Sequence, residues 1–119
     1  MKRILVFGGF GFLGYYLLKE LLSRNYNVVV ADIKDNDEFK EVLDYIKCDI
    51  SDQKQVEAVF KNQEYDVVYN LAGFANLDFA INSPLKTMQL NIISNMYILE
   101  ACVNARVNKF IYASSAYAM

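Results

Sequence analysis

Glycines at positions 8, 11 and 14 stand between an apolar run, Ile4-Leu5-Val6-Phe7, and leucines at helical spacing. This junction constrains the fold more than any other stretch. A short apolar run ending in glycine reads as a strand buried on both faces. Leu13, Leu17, Leu18, Leu21 and Leu22 then recur every three or four residues up to Arg24 and Asn25, placing one apolar stripe on a first helix. In a strand, glycine loop and helix of this kind, the first glycine permits the tight turn. The second lets backbone approach a pyrophosphate, and the third packs helix on strand. Free N–H groups at the helix start, together with the positive end of its dipole, make an anion site. The glycines could serve the turn alone, but the flanking strand and helix favour the anion site.

The alternation continues along the chain. Val28-Val29-Val30-Ala31 reads as a second strand ending at Asp32, and the charged stretch 34–43 has room for a short helix at most. Residues 45–48 read as a short third strand. Ser51 and Asp52 look like an N-cap for a crossover helix over 54–62, with Val56, Val59 and Phe60 on one face. Residues 67–72 form the fourth strand. Ser83-Pro84 pairs an N-cap with the favoured first helical position of a long helix, 84–105. Its main apolar line is Leu85, Met88, Ile92, Met96, Leu99 and Val103, with a second through Leu90, Ile93, Tyr97 and Ala101. The main line is expected to face the sheet, leaving the second exposed to meet something else. Residues 110–113 form the fifth strand. Strands alternating with helices imply parallel β-α-β units, hence an open α/β sheet in the order 3-2-1-4-5 with helices on both faces. A ligand would lie at the switch point between strands 1 and 4, at their carboxyl ends.

Composition narrows the chemistry. At 119 residues the chain holds one domain at most, and a separate substrate domain is not expected within it. It has no histidine and no tryptophan, which excludes Ser-His-Asp and Cys-His machinery and every histidine-containing metal site. Tyr, Lys, Ser and carboxylates remain. A net charge of −2 without a basic run argues against nucleic-acid binding. Cys48 and Cys102 lack CxxC spacing, so no metal site is suggested and buried free thiols in a reducing cytoplasm are expected. Lys2 and Arg3 before the uncharged stretch 4–18 imitate a signal peptide, but glycines interrupt that stretch and no cleavage site follows. No apolar stretch reaches the roughly 18 residues of a membrane span.

Asp32 closes the second strand, where a carboxylate can accept hydrogen bonds from an adenosine ribose and disfavour a 2′-phosphate. That favours NAD over NADP, with Lys34 nearby pulling the other way. An aspartate at a strand end is equally at home in a turn.

With these residues in view, the chain resembles the extended short-chain dehydrogenase/reductases, and within them the NAD-dependent nucleotide-sugar epimerase/dehydratase branch. The resemblance covers essentially the whole chain and rests on Gly-Gly-Phe-Gly-Phe-Leu-Gly at 8–14, Cys48-Asp49-Ile50, Asn70-Leu71-Ala72-Gly73 and Ser114-Ser115. It implies a Rossmann-type NAD-binding domain over 1–119. The phosphate loop would be Gly8, Gly11, Phe12, Leu13 and Gly14, with Asp32 and Ile33 at the ribose. Asp49 would meet the adenine amino group and Ile50 its ring. Leu71, Ala72 and Gly73 would pass close to the cofactor, Asn91 would lie near the active site, and Ser115 would be the catalytic hydroxyl.

The mechanism the resemblance implies uses a tyrosine as general base on a sugar hydroxyl, with hydride moving to the nicotinamide. That tyrosine and its lysine come from a Tyr-x-x-x-Lys turn after the fifth strand, which lies beyond this sequence. The chain alone is therefore expected to be inactive, as the cofactor-binding part of a longer enzyme. The literal match Tyr15 to Lys19 lies inside the first helix and is given no catalytic role. Asn70 stands where the family often has histidine, and Met119 where it often has tyrosine. The alternative is a non-catalytic dinucleotide-binding regulatory or interaction module. A flavodoxin-like or receiver domain is disfavoured, because glycine replaces the acidic pair expected after its first strand. In the longer enzyme a nucleotide-sugar substrate is implied, with a homodimer through the long helix and a cytoplasmic location.

Overall fold

The computed structural model describes residues 2–72 and 82–113. In chain order it contains β1 (Arg3–Phe7), α1 (Phe12–Ser23), β2 (Asn27–Asp32) and a 3-10 turn (Asp37–Phe39). These are followed by β3 (Asp44–Lys47), α2 (Gln53–Phe60), β4 (Val67–Asn70), α3 (Pro84–Asn104) and β5 (Lys109–Tyr112). The five strands form one sheet in the order β3-β2-β1-β4-β5, with every pairing parallel. The expected order is the one observed. Leu5 pairs with Val29 on one side and with Val68 on the other, so β1 lies at the centre.

Side chains alternate across a strand, and the two faces of β1 feed two cores. Leu5 and Phe7, with Val29, Ala31 and Val68, pack against Val56, Val59 and Phe60 of α2 and Ile98, Ala101 and Cys102 of α3. Ile4 and Val6, with Val28 and Val30, pack against Leu18 and Leu21 of α1 and Phe39 of the 3-10 turn. Helices therefore cover both faces. Cys48 and Cys102 are free thiols buried in the first core.

Local chemistry sets the element ends. After α1, Asn25 takes φ 62°, Asn25 N–H donates to Leu22 O at 3.0 Å, and Tyr26 N–H donates to Leu21 O at 3.3 Å. This is a Schellman ending, with asparagine in the left-handed position. Asp52 caps α2, its carboxylate accepting from the N–H groups of Lys54 and Gln55. β3 runs over 44–47, one residue earlier than the sequence suggests, although Cys48 N–H still donates to Asp32 O at 3.1 Å.

Two expectations need correction. Ser83 precedes α3, but its hydroxyl makes no cap; its carbonyl instead accepts from the Thr87 N–H and hydroxyl. The apolar line Leu85, Met88, Ile92, Met96, Leu99, Val103 also faces away from the core, every member being exposed. The face of α3 turned inward carries Thr87, Ser94, Ile98, Ala101 and Cys102. Small residues there let the helix axis approach the sheet closely, which a line of Leu and Met would prevent. Among the described residues no helix is long and apolar enough to cross a membrane.

Candidate functional site

The carboxyl ends of β1, β2 and β4 meet around the glycine loop. Gly8 has φ +73°, a conformation strained for any side chain, and its N–H donates to Ala31 O at 2.8 Å. A Cβ on Gly8 would lie 2.6 Å from Ala72 N, so β1 and the chain after β4 pass each other with no space for one. Gly14 packs on the loop itself, where an added Cβ would lie 2.2 Å from Gly9 O. The glycine spacing predicts packing of Gly14 on the strand; it packs on the loop instead, and Gly9, to which the spacing assigns no role, sits under Val30 and Val6.

Gly11 differs from its neighbours. A Cβ there would meet only Gly8 O at 3.5 Å, so the space above it is open. Gly11 is also the N-cap of α1 and provides no side chain, and no acidic residue occupies the first turn. The first amides of the helix, at Phe12 and Leu13, have no intrahelical carbonyl partner. Both residues are exposed, Phe12 at 84%. A diphosphate fits this cradle: it supplies the acceptors and the negative charge that a helix start without capping side chain or carboxylate lacks.

Asp32 is fixed from two sides. Its Oδ2 accepts from Phe10 N–H at 3.1 Å and its Oδ1 from Lys34 N–H at 2.9 Å. The Phe10 ring packs against Phe39 and Tyr45, with centroids 6.2 and 5.4 Å apart. Tyr45 in turn donates its hydroxyl to Asp32 O at 3.1 Å, and burial raises its pKa. The carboxylate is thus oriented at the rim, with Ile33 exposed beside it. Neither Phe10 nor Tyr45 was singled out in the sequence; an aromatic between two loop glycines was the available signal.

Asp49 lies just beyond β3, its Oδ1 accepting from the N–H and hydroxyl of Ser51, while its N–H donates to Gln55 Oε1 at 2.8 Å. Ile50 packs against the first core. Asp49 therefore orders the turn into α2 in addition to standing at the end of the third strand.

β4 ends at Asn70, two residues short of the expected boundary. The reason is local. Ala72 N–H donates to Asn70 Oδ1 at 3.0 Å, a side-chain bond that draws the backbone out of the ladder after Leu71 N–H reaches Phe7 O. Asn70 is 1% exposed, and its Nδ2 donates to Asn95 Oδ1 of α3 at 2.9 Å. Asn91 lies one turn before Asn95, half-buried. Asn95 was also missed, since an asparagine in a helix carries no signal by itself. Gly73, Ser114, Ser115 and Met119 lie outside the described residues.

Tyr15 and Lys19 meet on α1 with Nζ 4.9 Å from the ring centroid, and the ring packs on Phe39. The pair belongs to the packing of α1. The buried Cys48 and Cys102 have pKa values raised from 9.0 to about 12, mainly by loss of hydration. Neither offers a thiolate for chemistry near neutral pH.

The NAD dependent epimerase/dehydratase family matches residues 4–119. A dTDP-D-glucose 4,6-dehydratase of Dictyostelium discoideum is 30% identical over 97% of this chain and 29% of its own length. A UDP-glucose 4-epimerase of Bacillus subtilis is 31% identical over 95% of this chain and 36% of its own. The crystal structure of Thermus thermophilus UDP-glucose 4-epimerase in complex with NAD superposes with a TM-score of 0.84 at 28% identity. It covers 95% of this chain and 37% of that one. The chain thus spans about a third of the length of these relatives.

Proposed function

Because the chain belongs to the NAD dependent epimerase/dehydratase family, we propose that it binds NAD at the glycine loop, as the cofactor-holding part of a nucleotide-sugar epimerase or dehydratase. The observation that carries this reading is the open cradle over Gly11, where helix amides meet no side chain and no acid. Gly8, Gly11, Phe12, Leu13 and Gly14 hold the pyrophosphate. Asp32 and Ile33 take the adenosine ribose, and Asp49 and Ile50 the adenine. Leu71, Ala72, Gly73 and Asn91 border the nicotinamide half. Bound NAD supplies a hydride acceptor and donor at a sugar carbon.

The chain's own groups orient and exclude. Asp32, held by two backbone amides, keeps acceptor capacity for ribose hydroxyls and repels a 2′-phosphate. Ser115 would hydrogen-bond the reacting sugar oxygen. Tyr15 and Lys19 pack within α1 and do not supply the tyrosine-lysine pair of the reaction, and turnover of a sugar nucleotide requires that pair. A second copy packs on the exposed face of α3 formed by Leu85, Met88, Ile92, Met96 and Val103. The substrate is a nucleotide sugar and the location cytoplasmic, with neither a nucleic-acid nor a membrane partner.

Calorimetric titration with NAD, on the wild-type chain and on Gly11→Val, tests the proposal. NAD should bind the wild type, and the valine should abolish binding by filling the cradle while the fold is kept. Equal affinity of the two proteins would sink the assignment.

A further inference from the structure

Asn70 joins β4, β5, α3 and the chain beside the glycine loop. Its buried amide uses both ends: Oδ1 accepts from Ala72 N–H at 3.0 Å and Nδ2 donates to Asn95 Oδ1 at 2.9 Å. Its backbone carbonyl accepts from Ala113 N–H at 3.1 Å, where β5 ends. Ala72, fixed by that amide, stands where a Cβ on Gly8 would fall, 2.7 Å from its Cα. Movement of Asn70 would shift the chain after β4, the register of α3 and the exit of β5 together, while Gly8 keeps its own hydrogen bond to Ala31 of β2.

The placement is one-sided. Asp32 ends β2 and Asp49 lies just past β3 on one side of β1, whereas Asn70 ends β4 and Ala113 follows β5 on the other. A dinucleotide laid across the switch point has one half on each side. Asn95 also brings α3 under control of β4, through the helix turn after Asn91. Its neighbour Ser94 is 1% exposed, and the Ser94 hydroxyl has no hydrogen-bond partner among the described residues, so it supplies no competing tether. The Asn70–Asn95 hydrogen bond thus ties the helix turn after Asn91 directly to the end of β4.

We propose that Asn70 and Asn95 are a positioning pair that sets the nicotinamide half of the site, leaving the adenosine half independent of it. This rests on the dinucleotide reading given above. The test compares NAD with ADP-ribose, which lacks the nicotinamide ring, by calorimetry on the 119-residue chain and two variants. Asn95→Ala removes the acceptor for Asn70 Nδ2; the expected outcome is a loss of NAD affinity of about tenfold with ADP-ribose affinity unchanged. Asn95→Asp keeps an acceptor at the same place, and NAD affinity should stay within about threefold of wild type.

Parallel loss of both ligands in Asn95→Ala would reduce the pair to a merely structural role and overturn the proposal. So would unchanged NAD binding in that variant, or an aspartate that fails to rescue. A wild-type chain that binds neither ligand overturns the dinucleotide reading itself. A wild type that binds both, with no discrimination in the variants, overturns only the positioning role.

Discussion

The backbone N–H of Phe10 donates to Asp32 Oδ2 at 3.1 Å, joining the glycine loop to the end of β2 across 22 residues of sequence. The bond holds because the Phe10 ring is wedged between Phe39 and Tyr45. The acidic residue is consequently part of the loop's own architecture as well as part of its rim.

Asp32→Ala should therefore do two things at once. Removing the acceptor for Phe10 and Lys34 amides is expected to cost about 1–3 kcal/mol of stability, read from urea denaturation. Paired titrations should show the preference for NAD over NADP shrinking. An unchanged denaturation midpoint would mean that the carboxylate orders nothing.

Gly14 and Gly11 should separate packing from binding. A Cβ on Gly14 would meet Gly9 backbone at 2.2 Å for O and 2.5 Å for C, so Gly14→Ala is expected to lose about 3 kcal/mol. Gly11→Ala places its methyl 3.5 Å from the nearest atom, Gly8 O, and should stay within about 1 kcal/mol of wild type. Thermal unfolding of the two variants decides the matter, and similar midpoints would contradict the geometry.

The two thiols give a pH prediction. Both are raised from 9.0 to about 12 in the folded chain, so folding keeps their protons on. Their contribution is fully present below pH 9 and declines as pH rises towards 12, where the unfolded chain has already ionised them. Stability should fall across that window. Alkylation at pH 8 should be slow in the native protein and rapid in urea; fast native labelling would show that the thiols are accessible.

α3 should respond oppositely on its two faces. Ile98 is fully buried, and Ile98→Ala is expected to cost about 2–4 kcal/mol. Ile92 and Met96 are exposed, so Ile92→Glu and Met96→Glu should leave monomer stability within about 0.5 kcal/mol while reducing self-association in sedimentation runs. A glutamate that unfolds the monomer would reverse the assignment of faces.

That helix also marks the limit of what the sequence reveals. Continuous apolar runs such as Val28 to Ala31 declare buried strands because only a sheet covered on both faces tolerates them, and alternation with helices together with the glycine loop pointed to the strand order. In α3 the spacing showed two lines but not their directions. Burial there favours small residues at close approach, so Ser94 and Cys102 turn inward while Met88 and Met96 turn out. The glycines and Asp32 were legible because backbone demands and strand ends are local. Phe10 with Asp32 and Asn70 with Asn95 were not, since each is a long-range pairing of residue types that occur everywhere.

The central position of β1 has a consequence for hydrogen exchange. Its amides and carbonyls are shared with β2 and β4, and its side chains alternate between two cores, so neither core can open while β1 keeps its place. Deuterium should enter β3 and β5, the outer strands, through partial openings. At Leu5 and Val6 it should enter only when the whole molecule unfolds, which makes their exchange rates a direct measure of global stability.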